Sequence, residues 1–180
     1  MIDILLKLLG NGTWAGIAAI GFSIIFNVPK RTLTPIFFLA FCGTFTKFLA
    51  MNVGFGIIVS SFFGAIVVGC LTLYVARHFY TPPLIVSIPG VIPMVPGIFI
   101  YNFILGLFNL GSGNISDDPK IGNFIFFTTN NGLKAFFIVM GLAIGVAIPM
   151  LLTRKESIRG IEHHKSLGSN KKKHLKKQIQ

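Results

Sequence analysis

The sequence predicts an all-α integral membrane protein with about five transmembrane helices, a proline-broken fourth span and a basic cytoplasmic tail. Three observations lead there. The 180 residues are 53% hydrophobic and only 12% charged, with a mean hydropathy of +0.77, whereas soluble domains carry about 25% charge. From Leu8 to Thr153 the only charged residues are Lys30, Arg31, Lys47, Arg77, Asp117, Asp118, Lys120 and Lys134. Between them lie apolar runs that meet the ~20 residues needed to cross a bilayer. Finally, most of the net charge of +11 lies after Leu152. This divides the chain into a membrane domain, residues 1–153, and a basic tail, residues 154–180, read as flexible.

The first span runs from Gly12 to Val28, with an extension back to Ile4, and ends at Asn27, Pro29, Lys30 and Arg31. Asp3 in place of a basic start, and an apolar stretch continuing past Phe22, argue against a signal peptide. The second span covers Leu33 to Asn52, with Pro35 near its start, where proline is tolerated. The third covers Phe55 to Ala76 and is rich in Gly, Ala and Ser, which let helices approach closely. The fourth, Leu84 to Leu110, contains the breaks. A polar loop, Gly111 to Lys120, precedes a fifth span that starts at Phe126 or Leu133 and ends at Leu152; Thr128 to Asn131 and Lys134 dilute the signal at its start.

Charge orients these spans. With the N-terminus outside and the C-terminus cytoplasmic, Lys30, Arg31, Arg77 and all nine basic residues of the tail fall inside. Lys7, Lys47, Lys120 and Lys134 fall outside, as does the Asp117-Asp118 loop, read as solvated. Basic residues favour the cytoplasmic side. Trp14 and Tyr80 suit the aromatic belts at the two interfaces. Five spans are an odd number, and transporters are commonly built from paired repeats with the site at their interface. With no convincing internal duplication, the chain is expected to need a partner, either a second copy or a different subunit.

The fourth span holds the chemistry. Pro89, Pro93 and Pro96 lie within eight residues, with Gly90 and Gly97 completing two Pro-Gly pairs. Each proline lacks an N–H and crowds the carbonyl one turn back. Backbone freed at membrane depth is tolerated only where protein buries it or where it lines a cavity. A half-helix starting near Pro96-Gly97 would offer its first N–H groups to a carboxylate. Unwound carbonyls nearby would accept a substrate ammonium. The competing reading is a kinked helix whose freed groups are satisfied by neighbours. Lys47 is the one charge well inside a span; an ionisable group there is a candidate for function, but it lies only ~7–8 Å from the helix end, a distance a lysine can snorkel. Tyr101 and Asn102, one turn past Gly97, are candidate substrate contacts, though Tyr101 also suits a structural hydrogen bond to a carbonyl. Thr128 to Asn131 either line a pathway or open span five.

Absences exclude other functions. No Asp or Glu lies in an expected span, so a carboxylate for proton coupling would come from the partner. There is no carboxylate pair, Ser-His or Cys-His pair within the spans, zinc-ligand spacing or phosphate loop, which argues against an enzyme, a metal site and any cofactor. Cys42 and Cys70 read as small hydrophobes. His163, His164 and His174 sit among lysines and are not read as ligands. The tail has no aromatic residue to stack on bases, so anionic membrane lipid is a better partner for it than nucleic acid.

Beyond these patterns, the residues resemble the threonine/serine exporter family in its short, small-subunit form, like the C-terminal membrane half of full-length exporters. The resemblance covers most of Gly21 to Arg154. It rests on Gly21-Phe22, Phe26-Asn27-Val28-Pro29 and Arg31, then Gly43, Lys47, Gly64, Gly69 and Arg77. Its most specific part is Ile88-Pro89-Gly90-Val91-Ile92-Pro93-Met94-Val95-Pro96-Gly97 with Tyr101; Gly141, Gly145 and Pro149 close it. In two respects the chain departs from the family. Lys47 stands where the family usually has arginine, so a bidentate carboxylate grip is lost, and the tail after Gly160 is longer and more basic.

The resemblance implies a subunit of a secondary transporter in the bacterial inner membrane. It implies export of threonine, serine or similar small carboxylate-bearing substrates, driven by the proton gradient, with a larger multi-span subunit resembling the N-terminal half. Two other readings stand beside it: export of small dicarboxylates such as succinate, and a non-catalytic assembly or scaffold subunit.

Overall fold

The computed structural model describes residues 2–112 and 121–178, with side chains to Thr153. The Asp117-Asp118 loop lies outside the described residues. Six α-helices follow one another: α1 Ile2–Ile25, α2 Leu33–Val53, α3 Ile57–Phe79, α4 Pro83–Val91, α5 Gly97–Gly111 and α6 Ile121–Gln178. Short 3₁₀ turns at Lys30–Thr32 and Ile92–Met94 precede α2 and follow α4. Among the described residues four segments are long and apolar enough to cross a membrane alone, and α4 with α5, bent by 65° at the break, makes a fifth if the pair is one span. The expected all-α membrane architecture and the break in the fourth span are therefore both present.

The first three helices end in the same way. The chain steps into the left-handed region at Asn27 (φ 53°), Gly54 (φ 105°) and Tyr80 (φ 50°). In each case the next amide reaches five residues back: Val28 to the Ser23 carbonyl at 3.0 Å, Phe55 to Ala50 at 3.1 Å and Thr81 to Ala76 at 3.1 Å. This C-terminal cap satisfies carbonyls that a helix end otherwise leaves open, and it accounts for Asn27 as a terminator. Glycine and asparagine adopt that conformation readily. Tyrosine does so at some cost, with its side chain 93% exposed.

Small residues set the packing. A Cβ on Gly64 of α3 would lie 2.6 Å from the Gly43 carbonyl of α2, so those two backbones touch. Gly69 and Gly145 do the same between α3 and α6, against Val146 and Pro149 on one side and Ala65 on the other. In α1, Gly12 and Gly16 receive the rings of Phe41 and Phe37. Close approach through small residues is how membrane helices associate when lipid supplies no hydrophobic drive between them. The core where these helices meet contains Ile36, Leu39, Ala65, Val68, Val86, Met94, Ile138 and Leu142.

One boundary differs from the sequence reading. Helix α6 begins at Ile121, before the expected Phe126 or Leu133, because its polar run satisfies itself. Thr128 Oγ1 donates to the Phe124 carbonyl at 2.9 Å and Asn131 Nδ2 to the Phe127 carbonyl at 2.8 Å. Both side chains are buried, and Thr128 lies against Gly106 of α5. At its other end α6 stays helical through the basic segment to Gln178.

Candidate functional site

The break occupies Ile92 to Gly97. Val95 is extended (ψ 136°), as the residue before a proline prefers. Pro96, at φ −81° and ψ 65°, forms an inverse γ-turn in which the Gly97 N–H donates to the Val95 carbonyl at 2.9 Å. The Ile100 N–H then returns to the Pro96 carbonyl at 3.1 Å. The amides of Ile98 and Phe99 have no acceptor among the described residues. A Cβ on Gly97 would meet nothing within 4 Å, so the first turn of α5 opens onto free space.

Lys47 reaches this break from α2. It is only 9% exposed, and its Nζ donates to the Met94 carbonyl at 3.1 Å. The side chain therefore turns inward and does not snorkel. Met94 is 1% exposed. Its sulphur lies 3.3 Å from where Gly43 would place a Cβ, and its methyl fills the space of a Gly64 side chain. One residue of the break is thus held by its carbonyl on Lys47 and by its side chain between two glycines.

An ammonium has three donors, and one of Lys47's is used among the described residues. The five acidic residues are Asp3, Asp117, Asp118, Glu156 and Glu162. They fall at a helix start, in the loop and in the tail, and among the described residues Lys47 makes no ion pair. A buried charge left with one neutral acceptor is costly, and an anion beside it would recover that cost.

Acceptors for a substrate ammonium are scarcer than the sequence suggested. The carbonyls of Ile92, Met94, Val95 and Pro96 already accept from Val95, Lys47, Gly97 and Ile100. Among these break carbonyls Pro93 alone has no such donor.

The structure brings together Lys47, Pro93, Pro96 and Gly97, with buried Pro89 and Gly90 one turn before them on α4. Tyr101 lies on α5 with its side chain 64% exposed, and Asn102 beside it is partly buried. Asn27, Pro29 and Arg31 are exposed at the α1–α2 turn, and Arg77 is exposed in the last turn of α3. Two contributors escaped the sequence reading. Met94 carries no chemical signal, although its place between Pro93 and Pro96 marks it as break backbone. Lys134 of α6 lies over the Phe99 ring, 5.8 Å from its centroid, adding a second cation near the first turn of α5.

Together these helices form a multi-pass membrane bundle with an interrupted span beside a buried cation. The profile of a family described as "Threonine/Serine exporter, ThrE" matches residues 11–152. The chain belongs to this family of membrane transport proteins, as the sequence resemblance implied. An uncharacterized protein of Haemophilus influenzae is 29% identical over 151 residues, which cover 82% of this chain and 48% of that protein. The chain thus spans about half the length of that relative. No solved structure matches the chain.

Proposed function

We propose that this chain is a subunit of a secondary transporter that exports small carboxylate-bearing substrates, threonine and serine first, across the bacterial inner membrane. The observation that carries this reading is the buried Lys47 ammonium on the Met94 carbonyl, with no ion pair among the described residues. A substrate carboxylate would take the unused Lys47 donors in charge-assisted hydrogen bonds, which are stronger than neutral ones. The Ile98 and Phe99 amides, at the positive end of the α5 dipole, favour the same charge.

The remainder of the pathway comes from a larger partner subunit. That partner supplies the carboxylates for proton coupling, which this chain lacks in its spans. A longer relative, matched over 48% of its length, supports such a division, and a homo-oligomer is the simpler alternative. The N-terminus lies outside and the tail is cytoplasmic, on the charge bias described above.

One observation favours a second substrate. Four break carbonyls are already engaged, so an ammonium finds few acceptors here, and a dicarboxylate such as succinate needs none. Efflux from vesicles holding both subunits and loaded with labelled threonine, serine or succinate separates these cases. Export of threonine or serine supports the first, and export of succinate alone supports the second. Equal efflux from vesicles holding only the larger subunit would reduce this chain to a scaffold.

A further inference from the structure

A groove of about 940 Å³ runs along α4, with α3 and α6 as its other walls. It extends from Arg77, Thr81 and Thr153 at one end of the bundle to Ile92 and Val95 at the break. Its hydroxyl side chains are already satisfied by nearby backbone carbonyls. Thr81 Oγ1 donates to the Phe79 carbonyl at 3.1 Å, Ser87 Oγ to Leu84 at 3.4 Å and Thr153 Oγ1 to Pro149 at 2.8 Å. The remaining lining is aliphatic, including Leu84, Ile88, Ala143 and Ala147. A zwitterion would find nothing there to replace its water, and burying it unpaired is unfavourable.

Arg77 is the exception. It is exposed in the last turn of α3, and among the described residues it makes no hydrogen bond or salt bridge. Among the described residues no acidic side chain lines the groove. The nine basic residues of the tail begin at Arg154, directly after Thr153 at the same end. An apolar channel with a cation at its interfacial mouth is complementary to one kind of molecule, an acyl chain carrying an anionic headgroup.

We propose that this groove is a binding site for an anionic phospholipid of the leaflet on the tail side, with its phosphate at Arg77 and an acyl chain against α4 as far as Val95. The lipid would then form one wall of the break, so the state of the fourth span would depend on it. The assignment is independent of which solute is exported.

The test uses the full chain in lipid nanodiscs with Trp14, the single tryptophan, changed to Phe and a reporter introduced as Leu84→Trp. Phosphatidylglycerol or phosphatidylcholine brominated on one acyl chain is titrated in, and indole quenching is read. Quenching by the brominated phosphatidylglycerol is expected at about fivefold lower lipid fraction, the advantage that one cation near the surface supplies. Arg77→Gln should erase that preference and Arg77→Lys should keep it. Equal quenching by both lipids, or a preference unchanged in Arg77→Gln, means ordinary bilayer contact and overturns the proposal. Absence of quenching by either lipid means that protein, such as a partner helix or a second copy, covers the groove, and also overturns it.

Discussion

The two halves of the fourth span are apolar to a similar degree in sequence, yet they lie in different surroundings. Helix α4 and the turn after it are built into the bundle: Val86, Ser87, Pro89, Gly90 and Met94 are buried. Met94 is held between Gly43 and Gly64 and by Lys47. Helix α5 buries only Gly106, leans chiefly on α6, and exposes Ile98, Tyr101, Ile104 and Phe108. The break therefore separates a fixed half from one that this chain leaves largely uncovered. In a transporter such a joint permits one segment to move while the other stays in register, and the bare face of α5 is where a partner subunit would add most.

The contrast can be broken from either side. The largest effect is expected from Gly64→Leu, which drives a side chain into Met94 and the Gly43 carbonyl. It should destabilise the fold by about 3 kcal/mol or more, read as a lowered thermal midpoint and lost membrane abundance. Replacing Pro93 and Pro96 together with alanine should let the helix run on through the break. The chain should still insert, while efflux falls by about tenfold or more, the scale on which a misplaced binding group acts. Efflux at the parental rate would mean that the break is only structural. Gly106→Leu, which collides with Thr128, should cost about 1–3 kcal/mol. Its effect should be confined to α5 and the first turns of α6, with hydrogen exchange in α2 and α3 unchanged; faster exchange there would show that the halves are coupled. The smallest effect is Gly97→Ala, whose methyl enters open space. A stability change within about 0.5 kcal/mol is expected, and a large loss of efflux without loss of stability would place substrate against that Cα.

Much of this arrangement was legible in the chain. Three prolines in eight apolar residues left no regular helix available, and the bend follows from that. The four unbroken spans followed from hydropathy and from terminators such as Asn27 and Pro29. The direction of Lys47 was not legible. Its distance from the helix end suited both snorkelling and burial, and the choice rests on Met94, which is distant in sequence and carries no charge. The start of α6 was hidden because Thr128 and Asn131 look like loop residues, although hydroxyl and amide groups can return to a carbonyl one turn back. The inequality of α4 and α5 was hidden too, since hydropathy does not distinguish a neighbouring helix from lipid.

The central claim is that Lys47, held on the broken backbone, receives the substrate's carboxylate. It is tested by comparing Lys47→Met and Lys47→Arg in vesicles that export labelled threonine, serine or succinate, with insertion checked in each. Lys47→Met should lower efflux by about tenfold or more, the scale of a lost hydrogen bond to a charged group, while Lys47→Arg should retain most of it. Unaltered export by Lys47→Met would rule out a carboxylate contact at this site and leave Lys47 as a strut for the broken span.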